Sequence, residues 1–187
     1  MKMEPSFELL TPRLRMRPLH QSDARDMALL VTPGVSRWTA SLPETLTADE
    51  AAERIGPIVQ AMTAGDGVTL AIEPLRARRF IGWIGLSRLK TDPRRANLGY
   101  WIGESFQGRG WAREAAQAFL PAAWRWLDVD VIEAGAQPDN AASLAILRGL
   151  GMEPVGERMH YVPTRDRDEL CHYFEARRPV RADARVA

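Results

Sequence analysis

A single cysteine, Cys171, occurs in 187 residues, so no disulfide can form within the chain. The expected compartment is a reducing one, the cytoplasm. Neither sign of charge is in excess: 25 Lys and Arg face 24 Asp and Glu, for a formal net charge of +1. Nucleic-acid binders usually carry a marked basic surplus, which sets that class aside. No run approaches the ~18 apolar residues of a membrane span. The opening MKMEPSFELL has no apolar core of the signal-peptide kind. Histidine is scarce as well. His20, His160 and His172 stand at no metal-ligand spacing. Cys171 and His172 are neighbours in a predicted strand and point to opposite faces. No metal is expected.

What remains is ordinary globular composition, 45% hydrophobic and 26% charged, at a length that suits one domain. Residues 1–178 read as that domain and 179–187 as a mobile tail. FELLTPRLRMRPL reads as an opening strand, alternating from Arg13 to Arg17. Ser22 is placed to cap a short helix ending near Leu30. VTPGVSRWTASLPE, with two prolines and a glycine, reads as irregular. Thr47 and Glu50 make a capping box before a helix over 48–62. VTLAIE and RFIGWIGLSRL are strands, TDPRR the turn after them, and ANLGYWIG a fourth strand. WAREAAQAFLPAAWRWL is a helix that Pro121 is expected to kink. VDVIEAGAQ is a strand, and Asn140 caps a helix AASLAILRGL that Gly151 ends. EPVGERMHYV and DELCHYFEA form a closing antiparallel pair. The whole is an α+β chain of seven strands and four helices.

The stretch SFQGRGWAREA puts Gly108 and Gly110 around Arg109, between a strand and a helix start. Free backbone N–H groups and the positive end of the helix dipole then face one point, which suits a phosphate or pyrophosphate. The loop has no GK[ST] and so is not a Walker loop. It lacks the third glycine of a dinucleotide fingerprint, because Arg113 holds that place.

QGRGWA fits the Q/R-x-x-G-x-G/A signature of the GNAT acetyltransferases. LGYWIG before it, QPDNAAS-LAILRGLGM after it, TPRLRMRPL and FIGWIGL resemble the RimJ/RimL branch. The resemblance runs from about Thr11 to Ala176. It implies a GNAT fold: a mixed seven-stranded sheet, four main helices, and strands four and five splayed apart to hold acetyl-CoA. It implies that the backbone amides of Gly108, Arg109, Gly110, Trp111 and Ala112 take the pyrophosphate, that Arg109 and Arg113 add charge, and that Gln107 belongs to the same cofactor loop. Trp101, Ile102 and Gly103 would offer a strand edge to the pantetheine arm, with Asn140 and Ser143 beside it and Arg148 toward the adenosine phosphates. The implied reaction passes an acetyl group to a primary amine, a protein N-terminus or a small amine such as a polyamine. A CoA-binding module without turnover is the alternative from another class. The oligomeric state, a homodimer included, stays open.

For chemistry, the tyrosine acid of many GNATs, in a pattern like LYxxxGF, has no counterpart. The stretch here is ILRGLGM, with Leu147 at the tyrosine position and Met152 for the aromatic. Ser143 is therefore the expected proton donor to the leaving sulfur, although its hydroxyl could instead bond its own helix. Glu133, on the fifth strand near the splayed gap, is the candidate base, and Glu104, which closes the fourth strand, is the second carboxylate. Carboxylates in strands and loops are usually solvated surface groups. A weak base suits an α-amine. With a pKa near 8 it is about one-tenth neutral at pH 7, against about 1 in 2,500 for a lysine amine. Trp38, in the irregular segment, is the expected wall of the acceptor site.

Overall fold

The computed structural model describes residues 7–179. The proposed tail, apart from Pro179, lies outside them. Thirteen elements follow in order. They are β1 (Leu9–Leu10), β2 (Leu14–Pro18), α1 (Ala24–Leu30), α2 (Pro33–Ser36), α3 (Ala48–Ala64), β3 (Gly67–Pro74), β4 (Gly82–Leu89), β5 (Asp92–Ile102), α4 (Trp111–Trp126), β6 (Val131–Ala136), α5 (Ala141–Gly149), β7 (Glu153–Val162) and β8 (Arg167–Arg177). The strands form one sheet in the order β1-β2-β3-β4-β5-β6-β8-β7. All pairs are antiparallel except β5–β6.

That parallel pair is short. Arg95, Ala96 and Asn97 pair with Val131, Ile132 and Glu133, and pairing then stops. From Leu98 onward β5 has a neighbour on one side only. Alternation turns Ala96, Leu98 and Ile102 into one apolar core with Phe119 of α4 and Leu144 of α5. The opposite face of the sheet packs Ala71 and Trp101 against Met27 of α1 and Ile55 of α3. The sheet thus has helices on both faces and a wedge-shaped gap between β5 and β6.

The strand count is eight, not seven, because the opening segment folds as two strands. Thr11 and Pro12 turn the chain, with the Thr11 hydroxyl and amide both bonded to the Leu14 carbonyl. TDPRR is not a turn after the third strand. The turn is confined to Lys90 and Thr91, and β5 begins at Asp92 with a register shift opposite Leu89. The segment read as irregular holds a short helix, α2. Thr32 is its N-cap and Pro33 its first residue, the position where proline's missing N–H costs nothing. Ser22 caps no helix. Asp23 holds that corner by accepting from the His20 amide at 2.9 Å. The Thr47–Glu50 capping box is present, and Asn140 caps α5 by accepting from the Ser143 amide at 3.1 Å. Helix α4 runs unbroken through Pro121.

One buried ion cluster joins β2, β3 and the entry to α1. Arg17 donates to both carboxylate oxygens of Asp23 at 2.6 and 2.8 Å and to Glu73 at 2.8 Å. Asp23 is 4% and Glu73 6% exposed. Removing one member of a buried ion group leaves an uncompensated charge, at about 3–5 kcal/mol. Arg17→Met should lower the unfolding free energy by about 3 kcal/mol, the low end because Arg15 still stands 3.7 Å from Glu73. Urea denaturation of the variant and the parent measures the difference.

Candidate active site

The loop between β5 and α4 makes the first part of the site. Gly108 and Gly110 have φ of 75° and 76°, and a Cβ added at Gly108 would meet nothing within 4 Å. The need for glycine is therefore the left-handed backbone itself. Two such residues around Arg109 turn successive amides inward. Among the described residues, none of the amides from Gly108 to Arg113 has a hydrogen-bond acceptor. Gly110 is the N-cap of α4 and supplies no side chain to cap it. An unsatisfied row of N–H groups at the start of a helix is a cradle for an anion.

Neighbouring side chains hold this loop from outside. Gln107 donates to the Ile102 carbonyl at 2.9 Å and ties the loop to the strand end. Arg13 donates to the Arg109 carbonyl at 3.1 Å. Glu114, in the first turn of α4, accepts from Arg13 Nε at 2.5 Å and from the Thr11 hydroxyl at 2.6 Å. Arg13 was not singled out in the sequence, because its partner lies 101 residues away. The Arg109 guanidinium rests over the Trp111 ring at 5.2 Å.

The second part is the open edge of β5. The Gly103 amide already donates to Ile81 at 2.8 Å. Alternation then directs Trp101 to β4 and turns Leu98, Tyr100 and Ile102 toward the gap. The available edge is thus displaced by one residue from Trp101–Gly103, with Ile102 shared. Across the gap stand the first turns of α5. The Ser143 hydroxyl is 2.8 Å from the Tyr100 hydroxyl. Burial pushes the Tyr100 phenol up to about 12, against the opposing hydrogen bond from Ser143, so it stays protonated. Tyr100 was read only as part of a strand. Its place between Leu98 and Ile102, on the face that α5 covers, was the available signal.

A cavity of about 780 Å³ joins these parts and continues through the gap to the other sheet face. Its lining includes the loop from Gln107 to Arg113, Tyr100, Trp101, Ile102, Asn140 and Ser143. On the far side it meets Trp38, Trp83, His160 and Tyr173. The wall carrying Trp38 is fastened by the β7–β8 turn. Arg165 donates to the carbonyls of Ser36 at 2.8 Å and Thr39 at 3.2 Å. Glu169 orients Arg165 through two bonds of 2.8 and 2.9 Å. Those bonds, helped by Arg167 and Gln137, hold the Glu169 carboxyl down at about 2.

Four expected residues stand elsewhere. Glu133 does not line the cavity. It is 7% exposed and bound to Arg95 at 2.6 Å, with Arg158 at 3.5 Å. Gly103 is buried behind Leu30. Arg148 is exposed and lies 5.9 Å over the Phe174 ring. Glu104 bonds the Thr32 hydroxyl at 2.7 Å, away from the gap. Cys171 does line the cavity, but burial and the nearby Glu169 push its thiol up. It is poorly suited to act as a thiolate nucleophile. No group of three or more His, Cys, Asp or Glu that could hold a metal ion occurs among the described residues.

A family model described as the acetyltransferase (GNAT) domain matches residues 13–153. An uncharacterized N-acetyltransferase, p20, of Bacillus licheniformis is 26% identical over 160 residues, covering 85% of this chain and 89% of that protein. Among solved structures, the ribosomal L7/L12 alpha-N-protein acetyltransferase RimL in complex with coenzyme A superposes with a TM-score of 0.78. It is 18% identical and the match covers 90% of this chain and 96% of that one. The microcin C7 self-immunity acetyltransferase MccE, in complex with acetyl-CoA and AMP, gives a TM-score of 0.80 at 14% identity, covering 94% and 98%.

The cradle makes a direct prediction. Gly110→Val forces a branched residue into a left-handed conformation, a strain of about 1–2 kcal/mol that the loop relieves by turning its amides. Acetyl-CoA affinity should fall at least about tenfold, one 1.4 kcal/mol step, while the far-UV circular dichroism is unchanged. Calorimetric titration measures the affinity.

Proposed function

The chain belongs to the GNAT acetyltransferase family and is an acetyl-CoA-dependent acyltransferase, and from that premise we propose that it acetylates the N-terminal α-amine of a protein or peptide. The observation that carries this reading is the course of the cavity. It begins at an unpartnered row of amides, passes the Ser143–Tyr100 pair and opens on the other face of the sheet, with no Asp or Glu in its lining. The amides from Gly108 to Ala112 fit a pyrophosphate, with the Arg109 and Arg113 charges beside it. The β5 edge fits the amides of a pantetheine arm as a missing neighbouring strand would. Asn140 keeps its capping bond and lines the same wall.

Ser143 and Tyr100 would meet the thioester where the gap is open. The 2.8 Å contact allows either hydroxyl to donate; with the Tyr100 O–H donating to Ser143 Oγ, the serine proton would be free to bond the departing sulfur. A backbone N–H of β5, at Tyr100 or Ile102, would polarise the carbonyl. The acceptor side then decides the substrate. A polycationic amine would want carboxylates around it, and this lining supplies none. A single α-amine needs only a modest base. The likeness to RimL, an alpha-N-protein acetyltransferase by its description, agrees with this choice. The likeness to MccE keeps a small-molecule amine as the second reading.

Release of free thiol from acetyl-CoA, measured across peptides, polyamines and aminoglycosides, tests the proposal. A peptide with a free N-terminus should give the highest kcat/KM, and the same peptide blocked at its N-terminus should give none. A polyamine preferred over every peptide would overturn the acceptor, and binding without any turnover would make the chain a CoA-sensing module. Ser143→Ala should lower kcat by about 10- to 100-fold and leave KM for acetyl-CoA within a few-fold. Trp38→Ala should raise KM for the amine and not for acetyl-CoA, as steady-state kinetics with each substrate varied will reveal.

A further inference from the structure

Two cavity-lining side chains on the acceptor face, Tyr173 and His160, have so far no role. Tyr173 lies on β8 opposite Gly135 of β6. A Cβ at Gly135 would stand 3.0 to 3.3 Å from the Tyr173 ring. The ring therefore lies flat across β6, beside the gap that β6 bounds. Arg158 stacks on the same ring with its guanidinium 4.5 Å from the centroid. The Tyr173 side chain is held between strand and guanidinium and is only 9% exposed. Its hydroxyl points along the hairpin to Nδ1 of His160, 3.1 Å away on β7. His160, by contrast, is exposed. The pair reaches from the cavity wall to solvent.

The surroundings leave this pair without a competitor. The lining has no carboxylate. Glu133 is occupied by Arg95 and Arg158, and Glu169 by Arg165 and Arg167. Cys171, beside Tyr173 on the same strand face, is kept as a thiol by burial.

We propose that Tyr173 and His160 form the proton exit for the acceptor amine. The proposal rests on the acetyl-transfer reading above. An incoming ammonium group places one N–H against the Tyr173 oxygen. As that proton moves to the phenol oxygen, the phenol's own proton moves to Nδ1 of His160. One O–H bond forms and one breaks, so Tyr173 is unchanged. His160, with its other proton on Nε2, becomes an imidazolium and returns a proton to water at the cavity mouth. The nitrogen lone pair, now free, forms the C–N bond to the acetyl carbon. The C–S bond breaks with its electron pair on sulfur. The second proton lost by nitrogen ends on that sulfur, with the Ser143 hydroxyl bonded to it. No further reactant is needed.

Two acceptors separate a relay from a structural role. A peptide α-amine arrives mostly protonated at pH 7, whereas methoxyamine arrives neutral and has no proton to shed before attack. Tyr173→Phe keeps the ring and its stacking and removes only the hydroxyl. His160→Gln removes the imidazole. Both variants should lower kcat/KM for the peptide by about 10- to 100-fold. With methoxyamine they should stay within about threefold of the parent, and acetyl-CoA affinity should be unchanged. Equal losses with both amines, or no loss with the peptide, would overturn the relay while leaving acetyl transfer intact. No thiol release from either amine in the parent protein would overturn acetyl transfer and the relay together.

Discussion

The structure depends on where one parallel strand pair ends. Strands β5 and β6 share only the three residues from Arg95 to Asn97 before they part. At that vertex Arg95 binds Glu133 of β6 and Glu175 of β8, and both carboxylates are nearly buried. The cluster fastens three strands at the one place where the ladder stops. A continuous ladder would close the gap and separate the two sheet faces. An unfastened vertex would let the strands drift and lose the spacing that a thioester needs. Buried ion pairs contribute little net stability, but breaking one is expensive. That makes them good at fixing geometry.

Everything functional is arranged around that gap. On one face, α4 begins with amides that have no acceptor, and α5 brings Ser143 within 2.8 Å of Tyr100. On the other face, Tyr173 and His160 approach from the closing hairpin, and the same hairpin fastens the wall that carries Trp38 through Arg165. On the proposed reading, donor and acceptor take separate faces and have one meeting point. Such an arrangement suits direct transfer in a ternary complex, because neither substrate must leave before the other arrives. The buried, protonated Cys171 offers no ready covalent detour.

Local chemistry was readable in the sequence, and long-range company was not. The glycine loop, the Thr47 capping box and the Asn140 cap are each set by residues within a few positions of one another, and each stands where the pattern placed it. The eighth strand escaped because Thr11 and Pro12 break a run whose alternation is otherwise continuous. Pro33 hid a helix start in a segment that looked irregular for the same proline. Glu133 was nominated because it flanks the gap, but its partners Arg95 and Arg158 come from strands 38 and 25 residues away, and they turn it into a fastening of the vertex. Tyr100 sits inside LGYWIG, where nothing singles it out from its neighbours, and Tyr173 carries no motif. Their roles depend on the order β5-β6-β8-β7, which no local pattern encodes.

The central claim is that the two substrates occupy opposite faces of the sheet and meet in the gap between β5 and β6. A conjugate of coenzyme A joined through its sulfur to the N-terminus of a short peptide spans both halves at once. A crystal structure of that conjugate bound to the protein is the most direct measurement. The account predicts its pyrophosphate on the amides from Gly108 to Ala112, its sulfur beside Ser143, and its peptide against Tyr173 and Trp38. A conjugate lying with both halves on the α4 and α5 face, with the gap unthreaded, would contradict it.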